Sequence, residues 1–181
     1  MTNPQTIYTP EQTKQSISGW LNYDAPWQII RTAYPYIGKS CIDIGAGANI
    51  AMRVIQTLKA ANNKNFHYKP NQDYRELRDF IAWGWRFKTC YSSHVLEHLE
   101  NPDEMIFLSI ELSNGNIIHI VPEGDVQDKN SGTPHLHTYT MYSFLKLFIP
   151  REEDKIIKRV HYGRIESERM NSLIYVGEKL I

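Results

Sequence analysis

Three short stretches of this chain carry side chains that could do chemistry. The first is Asp43-Ile44-Gly45-Ala46-Gly47, a carboxylate followed by two glycines. Positive φ is open to glycine, and the missing Cβ lets a ligand approach the backbone closely. The second is His94-Val95-Leu96-Glu97-His98, and the third is His135-Leu136-His137. Histidine is the side chain suited to moving protons near neutral pH. Two histidines flanking a glutamate also fit H-x-x-E-H, in which two imidazoles bind zinc and the glutamate acts as base. In that reading His119, His135 or His137 supplies a further ligand.

The elements around these stretches decide how they can be used. An apolar run, 41–44, precedes the glycines, and Ile50, Val54, Leu58 and Ala61 follow at helical spacing. That pattern is a buried strand, a tight turn and a helix whose N-terminus faces the turn and favours an anionic or polar group. Thr9-Pro10 and Asp24-Ala25-Pro26 open two earlier helices, the first running to about residue 18, the second stopped by Pro35. Strands are expected at 65–69, 87–93, 116–121, 155–162 and 173–180, and helices at 73–83, 102–112 and 140–150. Asn101-Pro102-Asp103-Glu104 is a strong helix start, with a capping residue, a first-turn proline and two carboxylates. The segment 123–137 is the longest loop, and loops of that length in a compact domain are usually functional or disordered. Strands alternating with helices give an open, mainly parallel sheet with helices on both faces, closed by a terminal strand pair. Its ligand site lies beyond the carboxyl ends of the strands.

Length and composition narrow the class. The 181 residues suit a single domain, with 1–38 as an aromatic-rich helical cap and 39–181 as the sheet core. Tyr8, Trp20, Tyr23, Trp27, Tyr34 and Tyr36 are expected to pack outside the sheet, with some available as a lid. Twenty basic residues balance twenty acidic ones, which gives no nucleic-acid or membrane signal. No apolar run approaches the ~20 residues that span a bilayer. The start, Met1-Thr2-Asn3-Pro4-Gln5, lacks the pattern of a secretory signal, and two cysteines in apolar runs suit a reduced, cytoplasmic protein.

The glycine turn does not fit the dinucleotide fingerprint, because Ile50 stands where a third glycine belongs. It resembles instead the D-x-G-x-G turn of class I S-adenosylmethionine-dependent methyltransferases, with Asn49 where that family often has another glycine. Ser92-Ser93-His94-Val95-Leu96-Glu97-His98, with Pro102 downstream, resembles the fourth-strand segment of the branch acting on small molecules. Pro134-His135-Leu136-His137-Thr138-Tyr139 resembles the segment after that family's fifth strand.

The resemblance implies a Rossmann-like fold and methyl transfer from S-adenosylmethionine to a small-molecule acceptor. It places Asp43, Gly45, Ala46 and Gly47 at the methionine end of the cofactor, and Asn71 or Asp73 at the ribose. Ser92, Ser93 and His94 would line the floor beside the sulfur, with His135 or His137 as general base and no metal assigned. The alternating His-Leu-His is expected to send both imidazoles one way and Leu136 into the core.

Three departures fall on the adenosine half. Lys69 stands near the ribose-acid position, Lys88-Thr89 replaces the usual Phe-Asp, and too few residues separate 83 from 87 for the family's third, edge strand. The alternatives are a non-catalytic protein that keeps the fold with weakened cofactor binding, and a zinc hydrolase using His94, Glu97 and His98.

Overall fold

The computed structural model describes residues 24–47, 50–124, 134–167 and 170–180. The helix expected at 9–18, the rings of Tyr8, Trp20 and Tyr23, and Asn49 lie outside the described residues. Helix α1 (Asp24–Ala33) leads through a short 3-10 turn to strand β1 (Ser40–Ile44) and helix α2 (Ile50–Asn62). Strand β2 (His67–Asn71), helix α3 (Leu77–Ala82), strand β3 (Phe87–Ser93), helix α4 (Pro102–Leu112) and strand β4 (Ser113–Pro122) follow. Two short helices, α5 (Met141–Lys146) and α6 (Ile149–Glu153), precede strands β5 (Ile157–Ile165) and β6 (Ser172–Lys179).

The six strands form one sheet in the order β2-β1-β3-β4-β6-β5. The first four pair in parallel, and β6 runs antiparallel between β4 and β5. Strand alternation divides the core in two. Ile42, Cys90, Ile117 and Tyr175 point to one face, beneath Leu77, Met105, Ile106 and Phe144 of α3, α4 and α5. Cys41, Tyr91, Ile118 and Val176 point to the other, beneath Ile30 of α1 and Met52 and Ile55 of α2. Covering both faces makes the central strands mostly apolar, which is why 117–121 is apolar but for His119. Trp27, Tyr34 and Tyr36 pack against the α1/α2 face, as expected of rings outside the sheet.

Of the boundaries that differ from the sequence reading, three do so for a plain local reason. β2 runs two residues later than expected and includes Pro70, which an edge strand tolerates. The helix expected from residue 73 starts as a 3-10 turn capped by Asp73, and α-helix begins only at Leu77. Pro150 does not end a helix; it sits in the first turn of α6, where its missing N–H removes no bond. The expected absence of an outer strand holds among the described residues, where β2 is the sheet edge.

Candidate functional site

The carboxyl ends of β1, β2, β3 and β4 lie side by side, and the loops leaving them build the site. The loop after β1 is the glycine turn, and its two glycines do different work. Gly45 has φ +70°, and a Cβ there would meet a Val95 methyl at 2.5 Å. Its missing side chain therefore admits the loop after β3, not a ligand. Gly47, at φ +22°, has nothing nearer to its would-be Cβ among the described residues than the Gly45 carbonyl at 3.7 Å, an ordinary contact distance, so no described group is clamped against it. The Ala46 N–H is engaged within the protein, donating to the Asn71 carbonyl at 2.8 Å. That bond ties the turn to the end of β2 and takes the Ala46 N–H from any ligand. Asp43 is fully buried and accepts a 2.9 Å hydrogen bond from the Tyr68 hydroxyl. Burial first, and the Asp43 charge second, push the Tyr68 phenol well up, so it stays a donor.

At the end of β2, Asn71 takes the place expected for Lys69. It pairs in register with Ile44, directly beside the glycine turn. Its Nδ2 donates to Glu76 at 3.0 Å, while its buried Oδ1 has no hydrogen-bond partner. Lys69 lies within the strand, its Nζ 5.5 Å from the centre of the Phe80 ring. Asp73 is turned outward, holding the backbone N–H and Nε of Arg75. Of the two ribose candidates, the structure brings Asn71 to the site and leaves Asp73 as a surface cap.

At the end of β3 the expected floor divides. Ser92 is fully buried, and its Oγ lies 2.8 Å from Nδ1 of His119, facing the core beneath α4. The other ring nitrogen, Nε2, is 3.0 Å from Ser109 Oγ, whose proton goes to the Ile106 carbonyl. Ser109 must then accept from Nε2–H, which leaves Nδ1 to accept from Ser92. Burial drives the His119 pKa down to about 3. Ser92 is thus a core residue and not a cofactor contact, and His119 has no nitrogen left for a metal. Ser93 and His94 remain at the strand end, half-buried. His94 has φ +57°, its N–H donates to the Ile120 carbonyl, and its Nε2 is 3.4 Å from Ser172 Oγ.

After His94 the chain forms a 3-10 turn, Leu96–His98, and α4 starts only at Pro102. The zinc-peptidase arrangement, two histidines one α-helical turn apart, is therefore not formed. Glu97 is fully buried, and among the described residues neither carboxylate oxygen has a hydrogen-bond partner. Desolvation pushes its pKa up to about 8. Its Oε1 faces His94 Nδ1 and His98 Nε2, each at 3.8 Å.

The end of the long loop closes over this turn. The Glu97 carbonyl accepts from the N–H groups of Leu136 and His137, at 2.7 and 3.1 Å. His98 Nδ1 meets the Pro134 carbonyl at 3.1 Å, and the His135 ring stands edge-on to His98 with centroids 4.7 Å apart. His137 donates from Nε2 to the Leu99 carbonyl at 2.8 Å. Leu136 is 50% exposed, not core-facing, so the expected alternation fails. Both backbone N–H groups turn to one carbonyl, and an extended strand cannot do that.

Neither a family model nor a curated relative matches the sequence. Solved structures do match it in shape. A chain from the complex between the Haloferax volcanii Trm112 methyltransferase activator and a methyltransferase aligns with TM-score 0.61 at 10% identity. The alignment covers 94% of this chain and 95% of that one. The plantazolicin methyltransferase BpumL in complex with SAH aligns with TM-score 0.58 at 12% identity, over 94% and 91% of the two chains. A SAM-dependent methyltransferase from Aquifex aeolicus aligns with TM-score 0.56 at 12% identity, over 96% and 100%. The fold is that of the class I S-adenosylmethionine-dependent methyltransferases.

Within that fold, Asp43, Gly47, Asn71, Ser93 and His94 lie in or next to the carboxyl-end portions of β1, β2 and β3. The sequence reading missed the separate role of Gly45, whose partner Val95 is remote in sequence. It also left Glu97 out of the leading site, although a glutamate set among Val95, Leu96 and Leu99 was a visible signal. No described helix is long and apolar enough to cross a membrane.

Proposed function

We propose that this chain binds S-adenosylmethionine across the carboxyl ends of β1 and β2 and methylates a small-molecule acceptor beside β3 and β4. One juxtaposition carries the reading. Among the described residues, a Cβ on Gly47 would touch only the Gly45 carbonyl, at ordinary contact distance, and at the neighbouring strand end Asn71 presents a buried oxygen with no hydrogen-bond partner. An unsatisfied buried acceptor costs about 1–3 kcal/mol, and a ribose hydroxyl would relieve it. The cofactor supplies an electrophilic methyl group on sulfur when bound. The protein's part is to place the acceptor in line and exclude water. Gly47 gives the methionine end room, Asp43 with Tyr68 fixes the shape of β1 beneath it, and Ser93 and His94 floor the sulfur side. Acceptor activation belongs to the loop of His135, which stands with Glu97 and His98, and not to His137, whose Nε2 is engaged by Leu99.

An amide at the ribose offers one acceptor oxygen where a carboxylate offers two. One lost bond to a charged acceptor weakens binding by about 1.5–3 kcal/mol, or about ten- to a hundredfold. The same feature favours a second reading, a methyltransferase fold kept for interaction without catalysis. Calorimetric titration with S-adenosylmethionine and SAH separates the two. The enzyme reading expects one site per chain, abolished by Gly47→Val and weakened about tenfold by Asn71→Ala. Absence of binding to the parent protein overturns it.

A further inference from the structure

Glu97, His98 and His135 bring one carboxylate oxygen and two imidazole nitrogens within 4.8 Å of one another. We propose that these three side chains form a site for a divalent transition-metal ion of the zinc type, with a coordination position left for an exogenous ligand.

Glu97 motivates the site. A carboxyl group with no exposed surface and no geometrically formed hydrogen bond to either oxygen among the described residues is among the least favourable arrangements a fold can hold. A cation satisfies both its charge and its lone pairs. His98 supports the site independently. A carbonyl only accepts, so the 3.1 Å contact with Pro134 requires the His98 proton on Nδ1. The lone pair of Nε2 is then directed to the side of Glu97 Oε1, 3.8 Å away. Metal-bound histidines are held in the same way, the second nitrogen donating to a backbone carbonyl that fixes tautomer and ring.

Distances fit a tetrahedral ion after modest closure. Zinc bonds of about 2.0–2.2 Å set neighbouring ligand atoms about 3.4 Å apart. The Glu97–His98 pair is within a few tenths of an ångström of that spacing, and half-buried His135 supplies the remaining movement. Two imidazoles with one carboxylate select a transition ion over magnesium or calcium. Three protein ligands and a vacant position are the donor set of a catalytic zinc centre.

The assignment differs from the peptidase pattern in the same residues. Glu97 is a ligand here and not a base, His94 lies outside the cluster, and His135 arrives from the far end of the long loop. The site deepens the methyltransferase reading, since Val95, two residues before Glu97, fills the space beside Gly45 in the cofactor turn. An acceptor oxygen bound at the vacant position would have its pKa lowered, which is how such an ion prepares a nucleophile. The ion itself needs no cofactor to bind.

The test uses the full chain, stripped with a chelator and titrated with zinc chloride against a chromophoric competitor. Cobalt(II) then reports geometry by its visible spectrum. One zinc per chain is expected, with a tetrahedral cobalt spectrum and no competition from millimolar magnesium. Glu97→Gln and His135→Gln should each weaken zinc binding at least tenfold, while His67→Ala, on the exposed start of β2, leaves it unchanged. Circular dichroism of each variant checks the fold, and Glu97→Gln preserves the side chain's size. Failure of the parent to bind zinc, or equal affinity in parent and both glutamine variants, overturns the proposal. S-adenosylmethionine titration of the same stripped protein is read separately. Loss of either binding without the other therefore overturns one reading alone.

Discussion

His119 and Glu97 are both fully buried polar side chains, and the molecule treats them in opposite ways. His119, in the middle of β4, has a serine on each ring nitrogen. Glu97, on the turn between β3 and α4, has no hydrogen bond on either oxygen. A satisfied buried group specifies packing. An unsatisfied one lowers stability and is retained where something outside the chain completes it. The contrast separates a structural histidine under α4 from a carboxylate at the end of the neighbouring strand that we propose as a ligand.

Acid should expose the contrast most strongly. His119 binds its proton only near pH 3 in the folded state, against about 6.5 when unfolded. Between those values the unfolded chain holds more protons, so the stability present above pH 6.5 is lost as pH falls. At pH 4 the loss from this group is on the order of 3 kcal/mol. Arg151, the second cause of the shift, adds to it in the same direction. Urea unfolding of the parent and of His119→Leu at pH 7 and pH 4 checks this; the variant should show the shallower decline. If both decline equally, other groups control the acid limb.

The same variant should be less stable at pH 7 by about 2–3 kcal/mol, since it leaves the Ser92 hydroxyl buried without its acceptor. The mirror change, Glu97→Met in metal-free protein, should raise stability by about 1–3 kcal/mol, because an unpaired carboxyl is replaced by an apolar chain of similar length. A loss in that variant would mean that Glu97 is satisfied after all, and the comparison would fail. Ser92→Ala is the mildest of the set, about 1 kcal/mol, and it should leave the affinity for S-adenosylmethionine unchanged. Weakened cofactor binding in that variant would return Ser92 to the site.

How far the sequence could be read follows from the range of the interactions involved. The cap of α4 was legible because Asn101 Oδ1 accepts from the N–H of Glu104, three residues on, with Pro102 between them. The strand, glycine turn and helix around residue 45 were legible for the same reason. The sites of correction involve distant partners. Ser92 looked like a ligand contact until His119 claimed its hydroxyl, and Ala46 until the Asn71 carbonyl claimed its N–H. The end of β2 was misplaced because Pro70 reads as a terminator, and only its position at the sheet edge makes it permissible. The alternation expected of His135-Leu136-His137 failed because it assumes a strand that the loop does not form.

The two amides held by the Glu97 carbonyl have a kinetic consequence. The N–H groups of Leu136 and His137 share one acceptor across a long chain separation. Neither can reach solvent by fraying of its own segment alone, because the acceptor sits on the turn before α4. One opening event releases both, so their deuterium uptake should share a single rate and a single response to temperature. Anything that clamps the turn to the loop would slow that common rate, whatever its effect on the rest of the chain.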